Sequence, residues 1–192
     1  MNVEQTLTQV INLVCASRMI ITPEYAALNA EMHRQRSDFG RRGHRHADRV
    51  INLIRKLGAS SVLDFGCGKG TLAPALRDRG VTADIREFDP GVPGKDTTPE
   101  PADILVCTDV LEHIEPDFLD DVISELSRLT LKVGHIVIAT QPDQTKLLPD
   151  GRNPHLIVQD AQWWRAKLRE HFRVRLDHVG KKSATFTVFP KK

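Results

Sequence analysis

The sequence predicts an α/β fold: a doubly wound, mostly parallel sheet, ending in an antiparallel hairpin and preceded by a helical cap. Three observations carry this. From Ser61 onward, short apolar strand candidates alternate with segments of helical periodicity. Glycine and proline punctuate the junctions between them. The last two strand candidates, 172–179 and 183–189, are joined only by the turn Gly180-Lys181-Lys182, which makes them a hairpin. The chain of 192 residues is sized for one folding unit, read here as a cap over 1–58 and a main domain over 59–192.

The cap is helical throughout. Val3, Leu7, Val10, Ile11 and Val14 repeat at helical spacing over 2–18. Thr22-Pro23 opens a second helix, with Thr as N-cap and Pro at the first position, running to about Arg36. The loop Phe39-Gly40-Arg41-Arg42-Gly43 breaks it. A third helix over 44–57 shows Ala47, Val50, Ile51, Ile54 and Leu57 before Gly58 ends it.

Val62-Leu63-Asp64-Phe65 is the first strand, followed by a glycine loop and a helix at about 70–79. Val81 to Phe88 is the second strand. Residues 89–101 are rich in Pro and Gly and are read as loop. Ile104–Cys107 is the third strand, 116–130 a helix, and His135–Thr140 the fourth strand. A polar loop, 141–159, leads to a helix at about 160–170 and then to the hairpin. Only 17 residues separate Asp89 from Cys107, and four are proline, so the sheet is expected to be abbreviated on the edge after strand 2.

Composition narrows the function classes. Hydrophobic residues at 40% and charged residues at 27% exclude a largely disordered or collagenous chain. A net charge of +2 gives no bulk pull toward a polyanion, and seven Phe, two Trp and one Tyr are too few for an extended base-stacking platform. Cys15, Cys67 and Cys107 have neither disulfide-framework nor zinc-ligand spacing, and Cys107 lies in an apolar run that suits a buried structural thiol. With no basic n-region and no apolar run of membrane-spanning length, the expected setting is the cytoplasm, without a membrane partner.

The most informative segment is Val62-Leu63-Asp64-Phe65-Gly66-Cys67-Gly68-Lys69-Gly70. Three glycines at alternate positions after a strand suit a backbone that turns tightly and lets a ligand approach closely. The spacing is G-x-G-x-G rather than the G-x-G-x-x-G of dinucleotide sites, which disfavours an oxidoreductase. Asp64 would repel a pyrophosphate and suits a ligand bearing an ammonium group. Nineteen residues after Gly70, Asp89 ends the second strand, where an acid can accept both hydroxyls of a ribose. Asp84 and Glu87 are its rivals. Past the third strand comes Thr108-Asp109-Val110-Leu111-Glu112-His113-Ile114, at the sheet edge where open α/β folds bind ligands.

These motifs resemble the class I S-adenosylmethionine-dependent methyltransferases, which share a Rossmann-like fold, in family order over about 61–140. The resemblance implies S-adenosyl-L-methionine as cofactor, with Asp64, Gly66, Cys67, Gly68, Gly70, Asp89, Thr108 and Asp109 around it. Asp96 is the available substitute for the acid that contacts adenine in this family. His113, Asp109 and His155 are the candidates at the reaction face, with His113 as base for a hydroxyl acceptor. Asp109-x-x-Glu112-His113 is also similar to a run that binds a divalent metal in ubiquinone-pathway O-methyltransferases and small-RNA 3′-end 2′-O-methyltransferases. The reading adopted is metal-free, with Glu112 spent on a backbone amide or a cofactor hydroxyl. The metal-assisted O-methyltransferase and a cofactor-binding partner protein without turnover are the alternatives.

The acceptor is expected to be a small molecule, with nucleic acid as the other option. Residues 31–56 hold seven Arg and one Lys against three acids, either a solvated face or a contact surface for an acidic ligand. Trp163-Trp164 should pack one ring on the sheet and leave the other to line the acceptor pocket. Tyr25, Met32, His33 and Phe39 are expected to face the ligand from the cap.

Overall fold

The computed structural model describes residues 20–191. The helix expected at 2–18 lies outside them. Among the described residues six strands form one sheet: β1 (Ser61–Phe65), β2 (Asp84–Phe88), β3 (Ala102–Thr108), β4 (Thr130–Ala139), β5 (Phe172–Val179) and β6 (Ser183–Pro190). Their order is β2-β1-β3-β4-β6-β5. The first four are parallel, and β6 enters antiparallel between β4 and β5. β2 is an edge strand, so the sheet is abbreviated where the short, proline-rich interval after it predicts.

Among the described residues five α-helices pack around the sheet: α1 (Pro23–Gln35), α2 (Ala47–Leu57), α3 (Leu72–Arg77), α4 (Leu119–Leu129) and α5 (Ala161–Leu168). Thr22 caps α1, its Oγ1 accepting from the Tyr25 amide at 3.2 Å. Gly58 closes α2 in the left-handed region at φ 54°. On one face, α4 and α5 bury Val122, Ile123, Leu126, Trp164 and Leu168 against Leu63, Leu105, Ile136 and Phe186. On the other, α2 and α3 bury Val50, Leu72 and Leu76 against Val62, Ile104, Val106 and Val133. No helix among the described residues is long and apolar enough to cross a membrane.

One sequence expectation shifts. β4 begins at Thr130 rather than His135, because α4 runs directly into it with Thr130 as its C-cap. Within the cap expected over 1–58, α2 buries Val50 fully against the sheet. What covers the site is the stretch through α1 and its following loop. It is fixed by a small cluster of Tyr25 and Met32 with Leu148, and by Glu115, which accepts from Thr22 N at 2.9 Å and Thr22 Oγ1 at 2.8 Å.

A division at about residue 43 follows. Burying a side chain of the size of Val50, Ile51 or Leu53 contributes ~1.5–3 kcal/mol, so losing α2 removes a large share of a ~5–15 kcal/mol total. A chain lacking 1–43 should keep a cooperative thermal unfolding transition, and one lacking 1–58 should show none by circular dichroism.

Candidate functional site

The site lies at the C-terminal ends of β1, β2 and β3, where chain reversals put loops rather than side-chain layers. Gly66 N and Cys67 N both donate to Phe88 O, at 2.7 and 3.1 Å, which ties the glycine loop to the end of β2. Gly68 N donates to Asp89 Oδ2 at 2.8 Å, and Gly91 N to Asp89 Oδ1 at 2.9 Å. Asp89 therefore clamps the glycine loop to its own loop. Gly68 has φ 53°, and a Cβ there would stand 2.6 Å from Gly40 O and 2.7 Å from Gly40 Cα. Backbone meets backbone at this point, and only glycine permits it. Lys69 N donates to Gly40 O at 2.9 Å and Lys69 Nζ to His33 O at 2.7 Å, so the cover is latched to the loop.

Two cavities flank the end of β3. The smaller, about 120 Å³, is lined by Tyr25, Asn29, His33, Phe65, Gly66, Asp89, Pro90, Gly91 and Val110 among others. The larger, about 270 Å³, is lined by Asp38, Arg42, Ala139, Gln141, Asp143, Lys146, His155, Lys182 and Ser183 among others. Phe39, Asp109 and His113 belong to both walls. Asp109 turns the chain there with φ 56°, unusual for a residue other than glycine, and Arg42 NH1 stands 3.7 Å from its Oδ2. The His113 ring lies 4.9 Å from that of His155 and 6.1 Å from that of Phe39, nearly perpendicular to both. His155 is itself held, its Nδ1 2.6 Å from Gln141 O.

Burial sets the charge states. It pushes His113 down to about 3, with neighbouring His155 adding to the effect, so the ring is neutral at physiological pH. Burial and then the Asp109 carboxylate push Glu112 up to about 8. Glu112 Oε1 accepts from Ala139 N at 2.8 Å, the backbone-amide role the sequence suggested, while Oε2 has no partner among the described residues. Burial and the adjacent Glu87 push Asp64 up to about 7. Burial raises the Cys107 thiol well above its usual range, which leaves it inert.

Of the expected residues, Gly66, Asp89, Asp109, His113 and His155 reach the cavity walls. Asp64 does not. It lies beneath the glycine loop, in register with Glu87, which pairs with Lys95 at 3.1 Å. Cys67, Gly68 and Gly70 shape the loop from behind, and Thr108 ends β3 without lining either cavity. Asp96 is exposed and lines neither cavity; Pro90 and Gly91 take that wall. Asp84 is occupied by Arg86 at 2.6 Å. Tyr25, His33 and Phe39 line the smaller cavity as expected, whereas Met32 packs into the small cluster with Leu148. Trp164 is buried on the sheet, but Trp163 is exposed and lines neither cavity. Sequence reading missed Gly40, Arg42 and Asn29, whose only signal is a glycine in a basic loop and an Asn on a helix.

Residues 32–179 match the family model described as a methyltransferase domain. The chain belongs to this methyltransferase family. Among solved structures it resembles the 1,6-didemethyltoxoflavin-N1-methyltransferase of Burkholderia thailandensis, solved with 1,6-didemethyltoxoflavin and S-adenosylhomocysteine. Identity is 17%, coverage is 92% of this chain and 94% of that one, and the TM-score is 0.64. It also resembles the magnesium protoporphyrin IX methyltransferase of Synechocystis PCC 6803, solved with bound S-adenosylhomocysteine. There identity is 17%, coverage 88% and 97%, and the TM-score 0.57. No curated protein is similar enough in sequence to count as a match. The class I methyltransferase fold expected from the motifs is the fold observed.

Asp64 in this methyltransferase gives a pH prediction. Its folded pKa is raised, so between the ordinary carboxylate value and about 7 the native chain holds a proton that the unfolded chain has released. Stability from this group is present at low pH and lost as pH rises through about 7. Asp64→Asn cannot ionise, so its stability advantage over wild type should grow from pH 4 to 7 and then level off. The growth should reach roughly 2–4 kcal/mol in denaturant midpoints, and a flat difference would show that Asp64 ionises freely.

Proposed function

We propose that the chain transfers a methyl group from S-adenosyl-L-methionine to a small-molecule acceptor without a metal. The observation that carries this is the pair of cavities that share Phe39, Asp109 and His113 as a common wall. The smaller, with Gly66 and Asp89, is the cofactor side, and the larger and more polar one is the acceptor side. The neighbours solved with S-adenosylhomocysteine support the cofactor, and the toxoflavin-type ligand of one supports a small acceptor. The stretch through residue 43, with α1, is then the lid, and α2 joins the domain that binds the cofactor.

S-Adenosylmethionine supplies the methyl already activated on a sulfonium. What remains for the chain is alignment, exclusion of water and disposal of a proton. Asp89 and the glycine loop orient the cofactor; Phe39 and His33 close over it. His113, buried and neutral, can accept a hydrogen bond or a proton, and Asp109 supplies negative charge at the same wall. A base held at about 3 suits an acceptor that gives up its proton late, as the new bond forms. His155 fixes the far side of the acceptor.

Asp89→Ala removes the acceptor of two amide hydrogen bonds, and Gly68→Ala drives a Cβ into Gly40. Each should weaken S-adenosylhomocysteine binding at least ~10-fold by calorimetry. Unchanged affinity in both would sink the assignment of the cofactor side.

A second reading has one observation in its favour. Glu112, His113 and His155 bring one ligand atom each within 4.8 Å of one another. One carboxylate and two imidazoles suit a divalent metal such as Zn²⁺ or Mn²⁺. Against it, Glu112 Oε1 is engaged with Ala139 N. On the metal-free reading, turnover should survive exhaustive EDTA dialysis, and His113→Ala should lower it ~10²–10⁴-fold with cofactor affinity kept. Activity lost to EDTA and restored by Mg²⁺, Mn²⁺ or Zn²⁺ would install the metal-assisted reading instead.

A further inference from the structure

The basic segment 31–56 contributes to a groove that methyl transfer, as described, does not use. On the face that carries α2, helices cover β1, β3 and the start of β4, and beyond them the sheet presents polar side chains. A groove of about 650 Å³ lies there, walled by Arg45, His46 and Arg49 and floored by His135, Arg175 and Asp177. The floor follows from strand register. His135 pairs with Thr187, and Thr187 with Arg175, so the three share one face of the sheet.

Two guanidiniums meet one carboxylate in this groove, and a third, that of Arg45, lines its wall. Arg49 NH2 donates to Asp177 Oδ2 at 3.0 Å and to Thr187 Oγ1 at 2.9 Å. Arg175 Nε donates to Asp177 Oδ1 at 2.6 Å, and its NH2 to Thr187 Oγ1 at 3.2 Å. Asp177 thus orients two cations while neutralising one. The Arg45 amide donates to Arg42 O at 3.0 Å, and its guanidinium makes no hydrogen bond or ion pair among the described residues. His135, 3% exposed, has its Nε2 3.2 Å from His46 Nδ1, and its own Nδ1 has no partner among the described residues. With Nδ1 engaged, His46 has Nε2 left to offer. A fixed cluster of net positive charge, with forked donors already oriented, matches a tetrahedral oxyanion.

The groove also leads somewhere. Val137 and Thr185 line it, and two residues further along the same face Ala139 and Ser183 line the larger cavity at Asp109. Two residues along a strand span ~7 Å, so the groove and the acceptor cavity adjoin.

We propose that this groove binds a phosphate-class dianion and anchors a phosphate group carried by the methyl acceptor. The anchoring role rests on the methyl-transfer reading above. The full chain is titrated with inorganic phosphate and, separately, with glycerol 3-phosphate, by calorimetry and by nitrogen-resolved NMR of the imidazoles. Both should saturate one site, compete with each other, and move the His46 and His135 signals. Arg45→Gln and Arg175→Gln should each weaken binding at least ~10-fold, with S-adenosylhomocysteine affinity within twofold of wild type. Arg45 is exposed, so its variant tests the site even if Arg175→Gln disturbs the hairpin. No saturation, unmoved histidine signals, or equal affinity in both variants would overturn the proposal. Binding of inorganic phosphate alone would overturn the anchoring role. If glycerol 3-phosphate binds as expected while wild type fails to bind S-adenosylhomocysteine, the methyl-transfer reading falls and the anion site stands.

Discussion

At Gly68 three parts of the chain that are far apart in sequence come into contact. Its amide donates to Asp89 from the end of β2, and its bare Cα faces Gly40 from the cover. The consequence reaches past local geometry. If Gly68 carried a side chain, the cover could not seat, Lys69 N would lose Gly40 O, and the wall shared by the two cavities would lose Phe39. A parallel sheet can supply the loops but cannot close them, because all its strands end on one side at the same edge. Closure has to come from a segment outside the sheet, and it can come that near only where two glycines meet.

Closing the site determines its electrostatics. Water removed from the end of β3 leaves Glu112 favouring its protonated form and His113 favouring its neutral form, each shifted first of all by burial. The shared wall thus has one partly exposed carboxylate, Asp109, with Arg42 beside it and His113, which carries little charge, next to it. That suits a reaction in which a cationic donor becomes neutral, since further fixed negative charge in the wall would favour the starting state over the transition state. It also explains the left-handed Asp109 turn. The strain of that backbone, ~1–2 kcal/mol, sets a carboxylate against both cavities at once.

The fold was legible in the sequence because periodicity and punctuation agree along most of the chain. The glycine loop, the strand ending at Phe88-Asp89 and the Asp109–His113 turn all stand where the pattern puts them. What was not legible was contact over long separations. Gly40 reads as a helix breaker, and nothing in Phe39-Gly40-Arg41 says that it will meet a glycine 28 positions later. Asp64 lines neither cavity for a different reason. Strand alternation turns Asp64 to the face of Val62, under the loop, while Phe65 takes the cavity side. Asp96 was proposed from availability alone, and its loop carries it into solvent.

The missing edge strand links these observations. With no strand or helix between β2 and β3, β2 must serve as a sheet edge, an invitation to pairing with another chain. The sequence blunts it with charge: Asp84 and Arg86 pair across its outer face, and Arg86 NH1 donates to Pro101 O at 3.1 Å from the returning loop. That loop is stiffened by its own bonds, Val92 N to Asp89 O and Lys95 N to Val92 O, with Asp89 N held by Lys95 O. The tight turn presents Asp89 to the glycine loop and places Lys95 beside Glu87, above the buried Asp64. A longer crossover could have covered the edge. The short one uses a single loop to protect the edge and to build one wall of the smaller cavity.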